Sequence, residues 1–243
     1  MLTVNFSDLL LKDGDILLDV GCGEGRHVIH ACLEYKITGI GVDLSLKDLT
    51  TAYEKFLPFK NYNPECHFSL QQTDATRLPF ADNSIDKIIC SEVLEHIFPY
   101  QQVLQEIQRV LKPEGVLAVS VPRAWPEKIC WYLSDAYHQV EGGHIRIFNA
   151  NQLQNDISAL GFTFKKRHWA HALHSPFWWL KCLLWNTQEN SRLIKLYHKV
   201  LVWDLMQKPW LTQTLEKLLN PVLGKSVVFY FQKNVVIAQE KSL

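Results

Sequence analysis

The sequence predicts an α/β fold: a largely parallel sheet with helices on both faces and a helical insertion before its last strand. Three observations carry this. Strand-like and helix-like segments alternate through the first half of the 243-residue chain, the pattern of parallel strands joined by crossover helices. A glycine turn, Gly21, Gly23 and Gly25, separates the first strand from the first helix. A strongly β-prone run, Ser226 to Asn234, comes more than fifty residues after the preceding strand, late enough to close an edge of the sheet.

The elements follow in order. Asp15 to Val20 reads as a buried strand, and a helix runs from about Gly25 to Tyr35. A second strand ends at Asp43, and Ser45 is placed to cap the next helix. Cys66 to Ala75, Ile85 to Val93 and Gly115 to Pro122 read as the third, fourth and fifth strands. Between the last two lies a helix whose Val103, Leu104, Ile107, Val110 and Leu111 form one apolar stripe. Asn149 to Phe162 is an amphipathic helix ended by Gly161, and Phe162 to Ala170 is a sixth strand. Residues 171–225 hold five of the eight tryptophans and two or three helices, with Ser175 before Pro176 as a helix start.

Composition narrows the function classes. The chain is 47% hydrophobic and 21% charged, enough for one domain with a real core. Basic and acidic residues balance at 25 each, so no overall charge draws it to nucleic acid. Six scattered cysteines without a CxxC pair predict reduced, buried thiols. No secretory leader is expected at the N-terminus, and no apolar run reaches the ~20 residues of a membrane span. The expectation is a cytoplasmic protein, with contact at the inner face of a membrane as an open alternative.

Glycine at the carboxyl end of a first strand lets the backbone turn tightly and a ligand approach, while the following helix offers free N–H groups. The dinucleotide fingerprint needs G-x-G-x-x-G; here Arg26 stands where the third glycine belongs. A nucleotide-dependent dehydrogenase is therefore disfavoured. "LLDVGCGEGRHV", "GVDLS", "TDATRLPFADNSIDKIICSEVLEHI" and "LKPEGVLAVSVP" together resemble, in order and spacing, the class I S-adenosylmethionine-dependent methyltransferases, particularly the quinone-biosynthesis subgroup. The resemblance covers roughly residues 15–168 and the last strand. It implies a Rossmann-like seven-stranded mixed sheet of order 3-2-1-4-5-7-6 and S-adenosyl-L-methionine as cofactor. It also implies site residues: Asp19, Gly21, Gly23 and Gly25 bordering the methionine moiety, and Asp43 accepting from both ribose hydroxyls. Leu44 would flank the adenine, Asp74 with Ala75 would receive its amine, and Ser91 with Glu92 would lie along the methionine tail.

Methyl transfer asks chiefly for positioning, with a general base where the acceptor is a hydroxyl or an activated carbon. The candidates are His144, in a GHxRxF segment similar to that of relatives, and His96, which the resemblance turns toward the cofactor. Both have structural readings as well. Arg146 suits an anionic substrate group or a surface carboxylate. His168, His171 and His174 recur every third residue, but no carboxylate or cysteine accompanies them, and no metal is expected.

The 171–225 insertion bears on the substrate. From Phe164 to Lys199 seven basic residues face one acidic residue, Glu189. Aromatics flanked by basic residues suit either a lid packed on the sheet or an amphipathic contact with an anionic membrane surface. Both place an apolar wall by the transferred methyl, so the expected acceptor is hydrophobic, a small molecule or lipid-like. The rival is a non-catalytic S-adenosylmethionine-binding or membrane-adaptor protein on the same fold.

Overall fold

The computed structural model describes residues 2–140 and 142–235. Its seven-stranded sheet has the order β3-β2-β1-β4-β5-β7-β6, as expected. The strands are β1 (Ile16–Val20), β2 (Thr38–Asp43), β3 (His67–Gln72), β4 (Ile85–Ser91), β5 (Leu111–Pro122), β6 (Phe162–Ala170) and β7 (Ser226–Lys233). β1 to β5 pair parallel, whereas β7 pairs antiparallel with both β5 and β6. The ends of β1, β2 and β4, the end of β5 and the start of β7 thus meet on one rim, where Pro122 opposes Ser226.

The helices are α1 (Arg26–Glu34), α2 (Leu46–Phe56), α3 (Tyr100–Val110), α4 (Ala124–Leu133), α5 (Asp135–Gln139), α6 (Ala150–Ala159), α7 (His174–Leu183), α8 (Arg192–Gln207) and α9 (Trp210–Leu223). Ser45 caps α2 by accepting from Asp48 N, and Asn149 caps α6 by accepting from Asn151 N and Gln152 N. Three local expectations need correction. α4 and α5 fill a stretch in which no element was expected. β5 starts at Leu111, because pairing with Ile85 begins before a register shift near the positive-φ Glu114. Ser175 lies inside α7 and donates to Leu223 O instead of capping the helix.

Two apolar layers sandwich the sheet. Val103, Leu104 and Ile107 of α3 and Leu153 and Ile157 of α6 fill one. Val28 and Ala31 of α1, Leu49 of α2 and the N-terminal Val4, Phe6 and Leu9 fill the other. β7 supplies both by alternation, with Val227, Phe229 and Phe231 on one side and Val228 and Tyr230 on the other.

All six cysteines are free thiols, five of them buried. No described helix is long and apolar enough to cross a membrane. Phe231 is fully buried beside Phe162 and Phe164. Phe231→Ala is expected to cost about 3–5 kcal/mol, measured as the change in urea unfolding free energy.

Candidate functional site

The rim is built outward from the glycine turn. Gly21, Gly23 and Gly25 all have positive φ, 66°, 51° and 78°, which a side chain would oppose. A Cβ on Gly21 would stand 2.4 Å from Val93 Cγ2, whereas one on Gly23 would meet nothing within 4 Å. Gly23 therefore leaves open space on the side where a ligand must approach.

Asp43 ties that turn to the end of β2: Oδ2 accepts from Gly23 N and Oδ1 from Ser45 N, both at 2.8 Å. Each oxygen keeps a lone pair for a ligand hydroxyl. Leu44, beside it, is 71% exposed. Asp74 is an exposed turn residue whose Oδ1 accepts from Thr76 N, leaving Oδ2 outward, and Ala75 packs against the core. Asp19 is buried and accepts from Val28 N, and burial pushes its carboxyl up to about 7. Ser91 lies buried against Ser120 Oγ, which also donates to Glu92 Oε1. Glu92 itself sits at φ 59°, an uncommon conformation for its type.

The catalytic candidates separate. The His96 and His144 rings come together, 4.9 Å between centroids. His144 Nδ1 lies 2.6 Å from Glu127 Oε1 on α4, and His96 Nδ1 lies 3.2 Å from Gly143 O. Glu127 also accepts from Trp131 Nε1 and Tyr137 OH. Burial alone would raise its pKa, but the hydrogen bond and charge of His144 hold it below the ordinary range. Arg146 pairs with no carboxylate among the described residues. Its guanidinium donates to Phe98 O and lies 4.8 Å over the Tyr100 ring, pinning a loop.

Two of the three regularly spaced histidines stitch the N-terminal segment to β6 and the residue after it. His171 Nε2 lies 3.0 Å from Thr3 Oγ1 and His168 Nε2 lies 3.3 Å from Thr3 O. His174 lines a chamber of about 290 Å³ that also includes His144, Arg26 and Lys225. Among the described residues, the ligand-type group that does assemble is Glu95, His96 and His144, with one ligand atom of each within 4.8 Å of the others. Glu95 is fully buried without a hydrogen-bond partner, and burial pushes its carboxyl well up.

Residues 18–119 match the family model described as "Methyltransferase domain". Over this stretch the chain is similar to methyltransferase domains. Demethylmenaquinone methyltransferase of Lactobacillus johnsonii is 32% identical to it over 151 residues, 60% of this chain and 59% of that protein. The 2-phytyl-1,4-naphtoquinone methyltransferase of Trichormus variabilis is 33% identical over 110 residues, 44% of this chain and 47% of that one. The chain thus spans about half the length of these relatives. The Haemonchus contortus phosphoethanolamine N-methyltransferase 2, solved with S-adenosyl-L-methionine, shares the fold (TM-score 0.59, 19% identity, 93% of this chain, 50% of that one).

Several residues at the rim escaped sequence reasoning. Glu127 stands in α4, which no pattern announced. Lys225 reaches the rim because β7 runs backward. Glu95 follows a recognised motif, but only its full burial marks it out.

The chamber's field is visible in His174. Burial first, then the charge of Lys225, pushes its pKa down to about 4. The unfolded chain therefore takes up that proton first, so this contribution to stability is intact above about pH 6.5 and is lost as pH falls toward about 4. His174→Gln is expected to make unfolding free energy less steep across that window, by up to about 1.4 kcal/mol per pH unit. Urea titrations at several pH values measure the difference between the two proteins, in which the opposing contributions of Asp19 and Glu95 cancel.

Proposed function

We propose that the chain transfers a methyl group from S-adenosyl-L-methionine to a hydrophobic small-molecule or lipid-like acceptor. The observation that carries this is the pairing of Gly23's open face with an Asp43 carboxylate whose two oxygens are aligned by backbone donors. The cofactor supplies a methyl already activated on a sulfonium, so the protein's part is to hold donor and acceptor in line. Asp43 would hold the ribose hydroxyls, Leu44 the adenine face and Asp74 Oδ2 the adenine amine. Gly21, Gly23 and Gly25 leave room for the methionine moiety, with Asp19, Ser91 and Glu92 along it.

On the acceptor side, His144 would act through Nε2. With its Nδ1–H donated to Glu127, Nε2 is left as the acceptor for a substrate proton. Glu127 is thus a positioning residue, held in turn by Trp131 and Tyr137. The close His96 ring would border the same proton path.

The insertion at 171–225 would divide its labour. Trp178, Trp179 and Trp185 pack partly buried near α4 and Tyr137, which suits a lid over the acceptor. Trp203 and Trp210 on α8 and α9 are exposed, Trp210 at 78%, as are Leu196, Met206, Leu218 and Val222. Arg192, Lys195, Lys199 and Lys217 lie along the same helices, and Lys208 in the turn between them. An apolar face with a basic border suits peripheral contact with an anionic bilayer, from which a lipid-like acceptor would enter.

Two measurements test the reading. Calorimetry is expected to show S-adenosylmethionine binding to the wild type and at least about tenfold weaker binding to Asp43→Ala; no binding to the wild type would overturn it. Vesicles containing phosphatidylglycerol should sediment the protein, phosphatidylcholine vesicles should not, and Trp203→Ser with Trp210→Ser should release it. Equal sedimentation by both lipids, or by neither, removes the membrane contact.

A further inference from the structure

The chamber beside His144 has a sign of charge that an apolar acceptor alone does not explain. Its ionisable walls are Arg26, Lys225 and Glu92, with His144, His171 and His174 completing its polar lining. Glu92 sets one negative charge against these two cations and accepts from Ser120 Oγ, while Glu127, which feels Lys225 from behind His144, spends its oxygens on three donors. Burial keeps Glu95 toward its neutral form. The two cations, by contrast, have no carboxylate within ion-pair distance among the described residues.

Lys225 is held there by the backbone. Arg123 N donates to Lys225 O at 2.7 Å. The preceding Gly224 packs so closely that a Cβ would stand 2.6 Å from Asn220 O and 2.7 Å from Trp169 Cβ. The ammonium lies 5.0 Å from the Trp178 ring centroid, so an apolar surface adjoins the charge. Two cations lining one small cavity against a single lining carboxylate make a site for an anion, since ligand charge relieves their repulsion.

We propose that the methyl acceptor carries an anionic oxyacid group, a carboxylate or phosphate, that lodges between Arg26 and Lys225 with its apolar part against Trp178. This rests on the methyltransferase reading and narrows its substrate class from hydrophobic to anionic amphiphile. Arg26, at the start of α1, also lies near Asp19 and the glycine turn, where it can serve the cofactor's own carboxylate; Lys225 is the discriminating residue.

The test uses the full chain saturated with S-adenosylhomocysteine, titrated in a calorimeter with decyl phosphate, decanol and decyltrimethylammonium below their micelle-forming concentrations. Decyl phosphate is expected to bind at least about tenfold more tightly than decanol, as a charge-assisted contact implies, and the ammonium compound more weakly than either. Lys225→Met should abolish the preference for phosphate while keeping S-adenosylhomocysteine affinity within about twofold, and Lys225→Arg should restore it. Inorganic phosphate separates the sources: competition as strong as that of decyl phosphate assigns the anion to a soluble metabolite, and weaker competition to a lipid headgroup. Equal affinity for decyl phosphate and decanol, or a preference unchanged in Lys225→Met, overturns the proposal. Failure of S-adenosylhomocysteine itself to bind overturns the methyltransferase reading instead.

Discussion

β7 runs backward between β5 and β6, buried on both faces, and the arrangement of the rim follows from it. Its Phe229 and Phe231 complete one apolar layer and its Tyr230 the other. The Tyr230 hydroxyl accepts from Asn5 N, so the same strand anchors the N-terminal segment. Because β7 is antiparallel, its first residue lies beside the last residue of β5, and Lys225 is delivered to the end of the sheet where the glycine turn lies. Its far end is held by Lys233, which donates to Gln108 O, Leu111 O and Asn83 Oδ1. A buried ammonium is tolerated there because each of its three N–H groups finds an acceptor.

Desolvation dominates the ionisable groups around the rim, and partners decide which remain charged. Asp19 has one backbone donor and is pushed up to about 7. The Glu95 carboxyl oxygens have no donor, and burial, then the charge of Glu92, pushes that carboxyl well up. Glu127, just as inaccessible, has three donors and stays below the ordinary carboxylate range. The carboxylate with partners can therefore orient a histidine, while the one without them holds a proton. The same logic lowers His27 and His171, whose surroundings are dry and positively charged. Arg26 and Lys225 outnumber the one carboxylate, Glu92, that lines the chamber with them.

Much of the fold was legible because it is written in local periods. The stripe of α3, the cap Ser45 and the short apolar runs of the inner strands each need only neighbours in sequence to be recognised. The glycine turn and Asp43 were legible for a related reason: they lie at the ends of consecutive β-α units. α4 was not, since Pro126 and three aromatics in ten residues blur its period. The insertion's two halves could not be told apart either, because buried Phe177 and exposed Trp210 sit in equally apolar sequence.

What the amino-acid order determined by itself was the sheet, the helices that cross it and a turn of three positive-φ glycines, all consequences of apolar spacing and of glycine's access to positive φ. Tertiary structure alone decided what surrounds His144. Glu127 and His144 are seventeen residues apart and touch at 2.6 Å, while Thr3 and His171 meet across 168. Arg26 and Lys225 share a chamber from opposite ends of the chain. No periodicity encodes those encounters, because they arise from the reversal of one late strand and from the burial that holds it in place.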